Sequence, residues 1–135
     1  MVAARGITPV LSFALDEAEL RKATLCVLFV KEIAVYYAGG PTTLGRARWQ
    51  DDPEANAIMA FMLKLGSERA VCVQPVYAVS EDAATTILDL SATMGVDYLM
   101  LGTSHRLTLT NLLRGNVVTN IAADLPDTIR LIIYG

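Results

Sequence analysis

The chain has 135 residues, 53% hydrophobic and 19% charged, with a formal net charge of −3, a pI near 5.0 and a mean hydropathy of +0.43. This composition predicts one domain over residues 1–135, with enough apolar side chains to fold around a core without staples, and it excludes disorder. An acidic balance with no Lys/Arg cluster argues against nucleic acid, and no apolar run is long enough for direct membrane insertion.

Arg5, Pro9 and the acids that follow interrupt any secretory leader, so a cytoplasmic location is expected. With one histidine and no spaced cysteine pair, no metal site is expected. Cys26 and Cys72 fall in apolar, strand-like runs, which favours buried free thiols over a disulfide.

The first predicted element is a short strand, VAA at 2–4, followed by Arg5-Gly6. Thr8-Pro9 then starts a helix, with Thr8 as N-cap and Pro9 in the first helical position. Leu11, Ala14, Leu15 and Ala18 recur on one face of it, while Asp16, Glu17, Glu19, Arg21 and Lys22 point outward. TLCVLFV at 24–30 is a continuous apolar run, as expected for a strand buried on both faces.

From Lys31 to Gln50 the pattern breaks into a long connection. Asp52-Pro53-Glu54 repeats the cap-then-proline start, Ala55, Ile58, Met62 and Leu65 form a stripe, and Gly66 is expected to close the helix in a left-handed conformation. AVCVQPVYA at 70–78 reads as an edge strand, or as one ending near Gln74, because Pro75 lacks a ladder donor.

Ser80-Glu81-Asp82 reads as a cap with acids in the first turn of a third helix. Ala84, Ile87, Leu88, Ser91 and Met94 line one side of that helix, and Gly95 ends it. Asp97 leads into the strand YLMLG at 98–102, Asn116 starts a last helix through Ala123, and IRLIIY at 129–134 is the last strand. The order βαβαβαβαβ predicts an α/β fold: an open, parallel five-stranded sheet with helices on both faces.

Such sheets bind ligands beyond the carboxyl ends of their strands, near a switch in strand order. Arg5-Gly6, Val30 and the segment GTSHRLTLTNLLRGN at 102–116 occupy those ends. Gly115 permits close backbone approach, Asn116 can cap the helix that begins at Val117, and Arg106 and Arg114 can add charge-assisted bonds to an anion. The alternative is an ordinary capped helix with solvent-facing arginines.

His105 has no cysteine, serine or acid beside it that would make a catalytic pair, and no acids are spaced for acid–base work, so no catalytic residue is expected. Arg5 could meet an anion, pair with Asp97 or another acid, or stay solvated. The last strand, with Leu131 and Ile133 on one face and Ile132 and Tyr134 on the other, suggests a homodimer paired across a bare apolar edge.

VAAR-G, FALDEA, LCVLFVKE, DYLMLGTSHR and LLRGNVVTNIA together resemble the universal stress protein family over essentially the whole chain. The resemblance implies a Rossmann-like five-stranded fold and homodimers joined through the last strand. ATP-binding members carry Gly, two residues, Gly, nine residues, Gly, then Ser or Thr. Here that spacing is kept from Gly102 through Thr103 to Gly115, but His105 replaces the second glycine and Asn116 the hydroxyl residue.

An Asp that helps hold the nucleotide at the end of the first strand corresponds to Arg5. A ring at 105 would crowd a phosphate path, and Arg5 offers donors in place of an acceptor. The resemblance therefore implies a non-catalytic regulatory or ligand-sensing domain with no resident cofactor and a small anionic ligand. Its alternatives are a stress protein that binds ATP or another nucleotide with at most slow hydrolysis, and a purely structural dimerisation domain. The abrupt start of the first strand resembles family domains that form the cytoplasmic part of membrane transporters, so a fusion of that kind is a further expectation.

Overall fold

The computed structural model describes residues 1–33, 48–102 and 117–134. Five strands, β1 (Val2–Ala4), β2 (Leu25–Glu32), β3 (Val73–Ser80), β4 (Tyr98–Gly102) and β5 (Arg130–Tyr134), form one sheet in the order β3-β2-β1-β4-β5. Every pairing is parallel, as the alternation of strands and helices requires. The helices are α1 (Pro9–Arg21), α2 (Pro53–Glu68), α3 (Ala83–Thr93) and α4 (Val117–Asp124), with a short 3-10 turn at Trp49–Asp51.

β1 is central although it has only three residues: Val2 pairs with Val27 on one side and Met100 on the other. Side chains alternate across the sheet and feed two cores. Val2, Ala4, Val27, Phe29 and Met100 pack with α1 and α2, whereas Leu28, Leu99 and Leu101 pack with Ile87 of α3 and Ile121 of α4. The expected stripes are the buried ones: Leu11, Ala14, Leu15 and Ala18 in α1, and Ala55, Ile58 and Met62 in α2.

Several local expectations change. β2 continues through Lys31 and Glu32, because β3 is long enough to pair with both. Thr8 occupies the N-cap of α1 with extended backbone, but its side chain makes no cap bond; its carbonyl instead accepts from Leu11 N at 3.1 Å. At α3 the cap is Asp82, not Ser80. Asp82 accepts from Thr85 N at 3.4 Å and leaves no acid in the first turn, while Ser80 Oγ accepts from Asp82 N at 3.0 Å.

Both thiols are free, but Cys72 is exposed and Cys26 half-buried, since Cys72 precedes the edge strand β3. Pro75 does sit within that edge strand, which continues to Ser80. Leu25 N donates to Cys72 O at 2.8 Å and Ile33 N to Ser80 O at 2.9 Å, so even-numbered residues of β3 turn their backbone groups to β2. The nitrogen of Pro75 therefore faces the open edge, where no donor is missed.

Three helices end alike, with an N–H reaching back five residues: Ala23 to Ala18 O (2.9 Å), Val71 to Gly66 O (2.8 Å) and Val96 to Ser91 O (3.2 Å). The left-handed residue in each turn is Lys22 (φ 53°), Ala70 (φ 55°) and Gly95 (φ 62°). Only the last is the glycine that this conformation favours; the others cost about 1 kcal/mol each.

Gly66 does not close α2 but lies inside it, where a Cβ would stand 2.6 Å from Val73 Cγ2 and 2.8 Å from the Val71 carbonyl oxygen. Its missing side chain lets α2 touch the start of β3. Gly66→Ala is expected to cost about 1–3 kcal/mol, as overpacking against backbone does. Chemical denaturation of the two proteins measures it, and equal midpoints would show that α2 can move aside.

Candidate functional site

All five strands deliver their carboxyl ends to one edge of the sheet, and the strand order reverses between β1 and β4. Open parallel sheets bind their ligands at such a switch; here the connection after β4 lies outside the described residues. Arg5 and Gly6 follow β1 directly, and Gly102 ends β4. Ala3 pairs with Leu101 and Ala4 with Phe29, so the residues that follow β1 emerge beside Gly102 and level with Val30.

Arg5 is exposed, and no ion pair or hydrogen bond engages it among the described residues. The expected alternative partner, Asp97, precedes β4 and so lies at the opposite edge of the sheet. Among the described residues, a Cβ at Gly6 would meet only Thr8 Cγ2 at 4.0 Å. Gly102 is tighter: a Cβ would come within 3.1 Å of Val10 Cγ1, so the end of β4 lies directly against the start of α1. The half-buried Val30 and Val117 pack toward the core beneath α3 and α4. Thr103, His105, Arg106, Arg114, Gly115 and Asn116 lie outside the described residues.

This edge also carries a polar pair of which the sequence reading found only the cap, Asp52. Asp52, only 8% exposed, caps α2 by accepting from Glu54 N (3.0 Å) and Ala55 N (3.3 Å), and its other oxygen accepts from the Tyr77 hydroxyl at 2.9 Å. The Asp-Pro dipeptide announces the cap, but nothing local marks Tyr77, which arrives from β3 and stacks on Phe29 with ring centroids 5.9 Å apart. Burial by itself would push the Asp52 carboxyl up. The Tyr77 hydroxyl, the Ala55 and Glu54 amides and the Lys31 charge outweigh it and hold the group below its ordinary value. Tyr77 is pushed up to about 12, first by burial and then by its bond to Asp52 and the charge there.

Asp52 thus occupies the N-terminus of α2 with the chain's own carboxylate. Trp49, the chain's single tryptophan, sits half-buried on the core one turn earlier and accepts from Asp52 N at 3.2 Å. Among the described residues no group of three or more His, Cys, Asp or Glu could hold a metal ion. This edge therefore presents a guanidinium that has no partner among the described residues, a donor suited to holding an anion.

Residues 8–126 match the family model described as the universal stress protein family. The chain belongs to that family. No curated protein matches it. A universal stress protein from Archaeoglobus fulgidus has the same fold, with a TM-score of 0.68 at 18% identity over 99% of this chain and 96% of that one. A structure of the universal stress protein from Archaeoglobus fulgidus in complex with dAMP gives 0.64 at 18% identity, over 99% and 94%. A universal stress protein in complex with cAMP gives 0.68 at 14% identity, over 100% and 97%.

The five-stranded parallel sheet with helices on both faces is thus the universal stress protein fold. No described helix is long and apolar enough to cross a membrane. Leu131 and Ile132 of β5 pack on opposite cores, while Ile133 (46%) and Tyr134 (39%) are exposed on the outer strand.

The Asp52–Tyr77 pair has a definite pH signature. Asp52, with a folded value below its ordinary one, adds stability that is present above about pH 4 and lost as pH falls through the folded value. Tyr77, raised to about 12, adds stability that is present below about pH 10 and lost as pH rises toward its folded value. Thermal melts across pH are expected to show both losses in the wild type. In Tyr77→Phe the alkaline loss should vanish, and Asp52→Ala should cost about 1–2 kcal/mol at neutral pH.

Proposed function

We propose that this universal stress protein domain is a ligand-sensing regulatory module that holds an adenine nucleotide in the crevice between β1 and β4 without turning it over. The observation that carries this is the placement of an exposed Arg5, without a partner among the described residues, beside Gly102 at the switch in strand order. Adenine nucleotides in two relatives of the same fold, dAMP and cAMP, support the ligand class. In sequence, Gly102 and Gly115 keep the spacing of a nucleotide-binding segment, and Arg106 and Arg114 add cationic donors within it. His105 and Asn116, where ATP-binding members have Gly and Ser or Thr, favour sensing over tight retention of ATP.

Calorimetric titration with ATP, ADP, AMP and cAMP tests the proposal, with Trp49 fluorescence as an independent signal. Heat from at least one of them with micromolar affinity, about −8 kcal/mol at 1 µM, is expected, together with no phosphate release over hours. A folded protein that gives no heat with any of them would reject the nucleotide reading and leave a structural dimerisation domain in its place.

The same module is proposed to act as a homodimer joined across β5. Its support is the position of β5 at the sheet edge with Ile133 and Tyr134 exposed on it. Sedimentation is expected to give twice the 14.6 kDa chain mass at micromolar concentration, and Ile133→Lys should return it to the monomer. A wild type sedimenting at the single-chain mass would count against the pairing.

A further inference from the structure

A strand added to β5 must match the backbone groups that β5 presents at its open edge. We propose that two copies pair antiparallel about a two-fold axis through Ile132, so that Arg130 of each copy lies against Tyr134 of the other. This rests on the homodimer reading above and adds its register and the residue pair that selects it.

The backbone of β5 restricts the register. Arg130 N donates to Asp97 O at 2.9 Å, and Arg130 is the partner of Tyr98 in the ladder. Arg130, Ile132 and Tyr134 therefore turn their backbone groups to β4, while Leu131 and Ile133 present theirs to the open edge. In an antiparallel pair, outward-facing residues must meet outward-facing residues. A two-fold axis lying between two residues would break that rule, so the pair is centred on a single residue. Of the centres available, only Ile132 gives every residue of Arg130–Tyr134 a partner within the same stretch of the second copy. Leu131 then stands opposite Ile133, and Arg130 opposite Tyr134.

The side chains fit the same register. A two-fold axis that extends a sheet is perpendicular to it, so each face of one copy continues as the same face of the other. On the face under α3 and α4, Leu131 packs into the core and Ile133 is left exposed. The pairing covers each Ile133 with Leu131 of the second copy. On the α1 face Ile132 meets its equivalent, and the exposed Arg130 meets the exposed Tyr134.

That last pair decides between registers. Tyr134 is held by Phe13, which stacks on its ring at 4.6 Å between centroids. Arg130 has no side-chain partner among the described residues, and the ring beside it, Tyr98, already carries Arg21 at 4.3 Å from its centroid. A guanidinium against a tyrosine ring is attractive, whereas like charges directly opposite repel. Centring the pair on Arg130 would set two guanidinium groups against each other. Centring it on Leu131 would set Arg130 against an isoleucine, and centring it on Ile133 would leave Arg130 nothing opposite within the strand.

The test is disulfide trapping in the full chain with its own thiols removed by Cys26→Ser and Cys72→Ser. Leu131→Cys, Ile132→Cys and Ile133→Cys are introduced one at a time and oxidised with glutathione disulfide, which takes up the two electrons and two protons. Opposed residues lie about 4.5–5.5 Å apart at Cα, within the span of a disulfide. Ile132→Cys is expected to link into dimers at least about tenfold faster than the other two, because only there does a residue face itself.

A double-mutant cycle in the chain with its native cysteines reads the selecting pair. Arg130→Ala and Tyr134→Ala should each weaken dimerisation in sedimentation, with a coupling of roughly two- to fivefold between them. Trapping at Ile132→Cys no faster than at its neighbours, or no coupling between Arg130 and Tyr134, would overturn this pairing and leave the homodimer standing. A wild type that sediments as a monomer would overturn both.

Discussion

Three residues, Val2 to Ala4, hold the molecule together. A parallel strand at the centre of a sheet must satisfy hydrogen bonds on both edges and bury side chains on both faces. β1 does this through Val27 and Phe29 on one side and Met100 and Leu101 on the other. Val2 is fully buried in the layer under α1 and α2. Because the chain leaves β1 toward β2 and later returns to its other side as β4, the strand order reverses there. The placement of Arg5 at the switch point is a consequence of that reversal.

Both rims of the sheet are shaped by the demands of an open edge. β3 carries Pro75 with its nitrogen turned outward, so a second strand would find a gap in the row of donors. β5 has no proline and ends in exposed Ile133 and Tyr134, with Tyr134 stacked on Phe13 of α1 at 4.6 Å. The two edges are therefore unequal in the backbone donors they present. The end of the sheet opposite the crevice is closed differently: Arg69 ties α2 to Asp16 and Glu19 of α1, beside the left-handed turns at Lys22 and Ala70. Those exposed ion pairs add little stability individually.

Much of the fold was legible because its signals are local. Proline after a cap residue marked the starts of α1 and α2, an uninterrupted apolar run marked β2 as covered on both faces, and Gly95 marked the end of α3. Pro75 reported an edge strand by the donor it lacks. The misreadings share a cause. Gly66 looks like a helix stop because glycine often is one, yet it answers to Val71 and Val73 approaching from outside the helix. Cys72 looks buried because its neighbours are apolar, yet an edge strand leaves one flank to solvent. Ser80 looks like a cap because it precedes acids, while the backbone extends far enough for Asp82 to reach Thr85.

For the site the division is sharper. The sequence alone determined the parallel α/β class, the family resemblance, the acid-free segments after β1 and β4, and the presence of Arg5 where the resemblance implies an Asp. These are matters of residue type, spacing and period, which the chain carries wherever it goes. Only the tertiary structure decided that Arg5 has no partner among the described residues, that Asp97 is at the far edge, and that Asp52 is claimed by Tyr77 from another strand. Pairing in space depends on strand order and register, and those are set by how both faces of the sheet are covered at once.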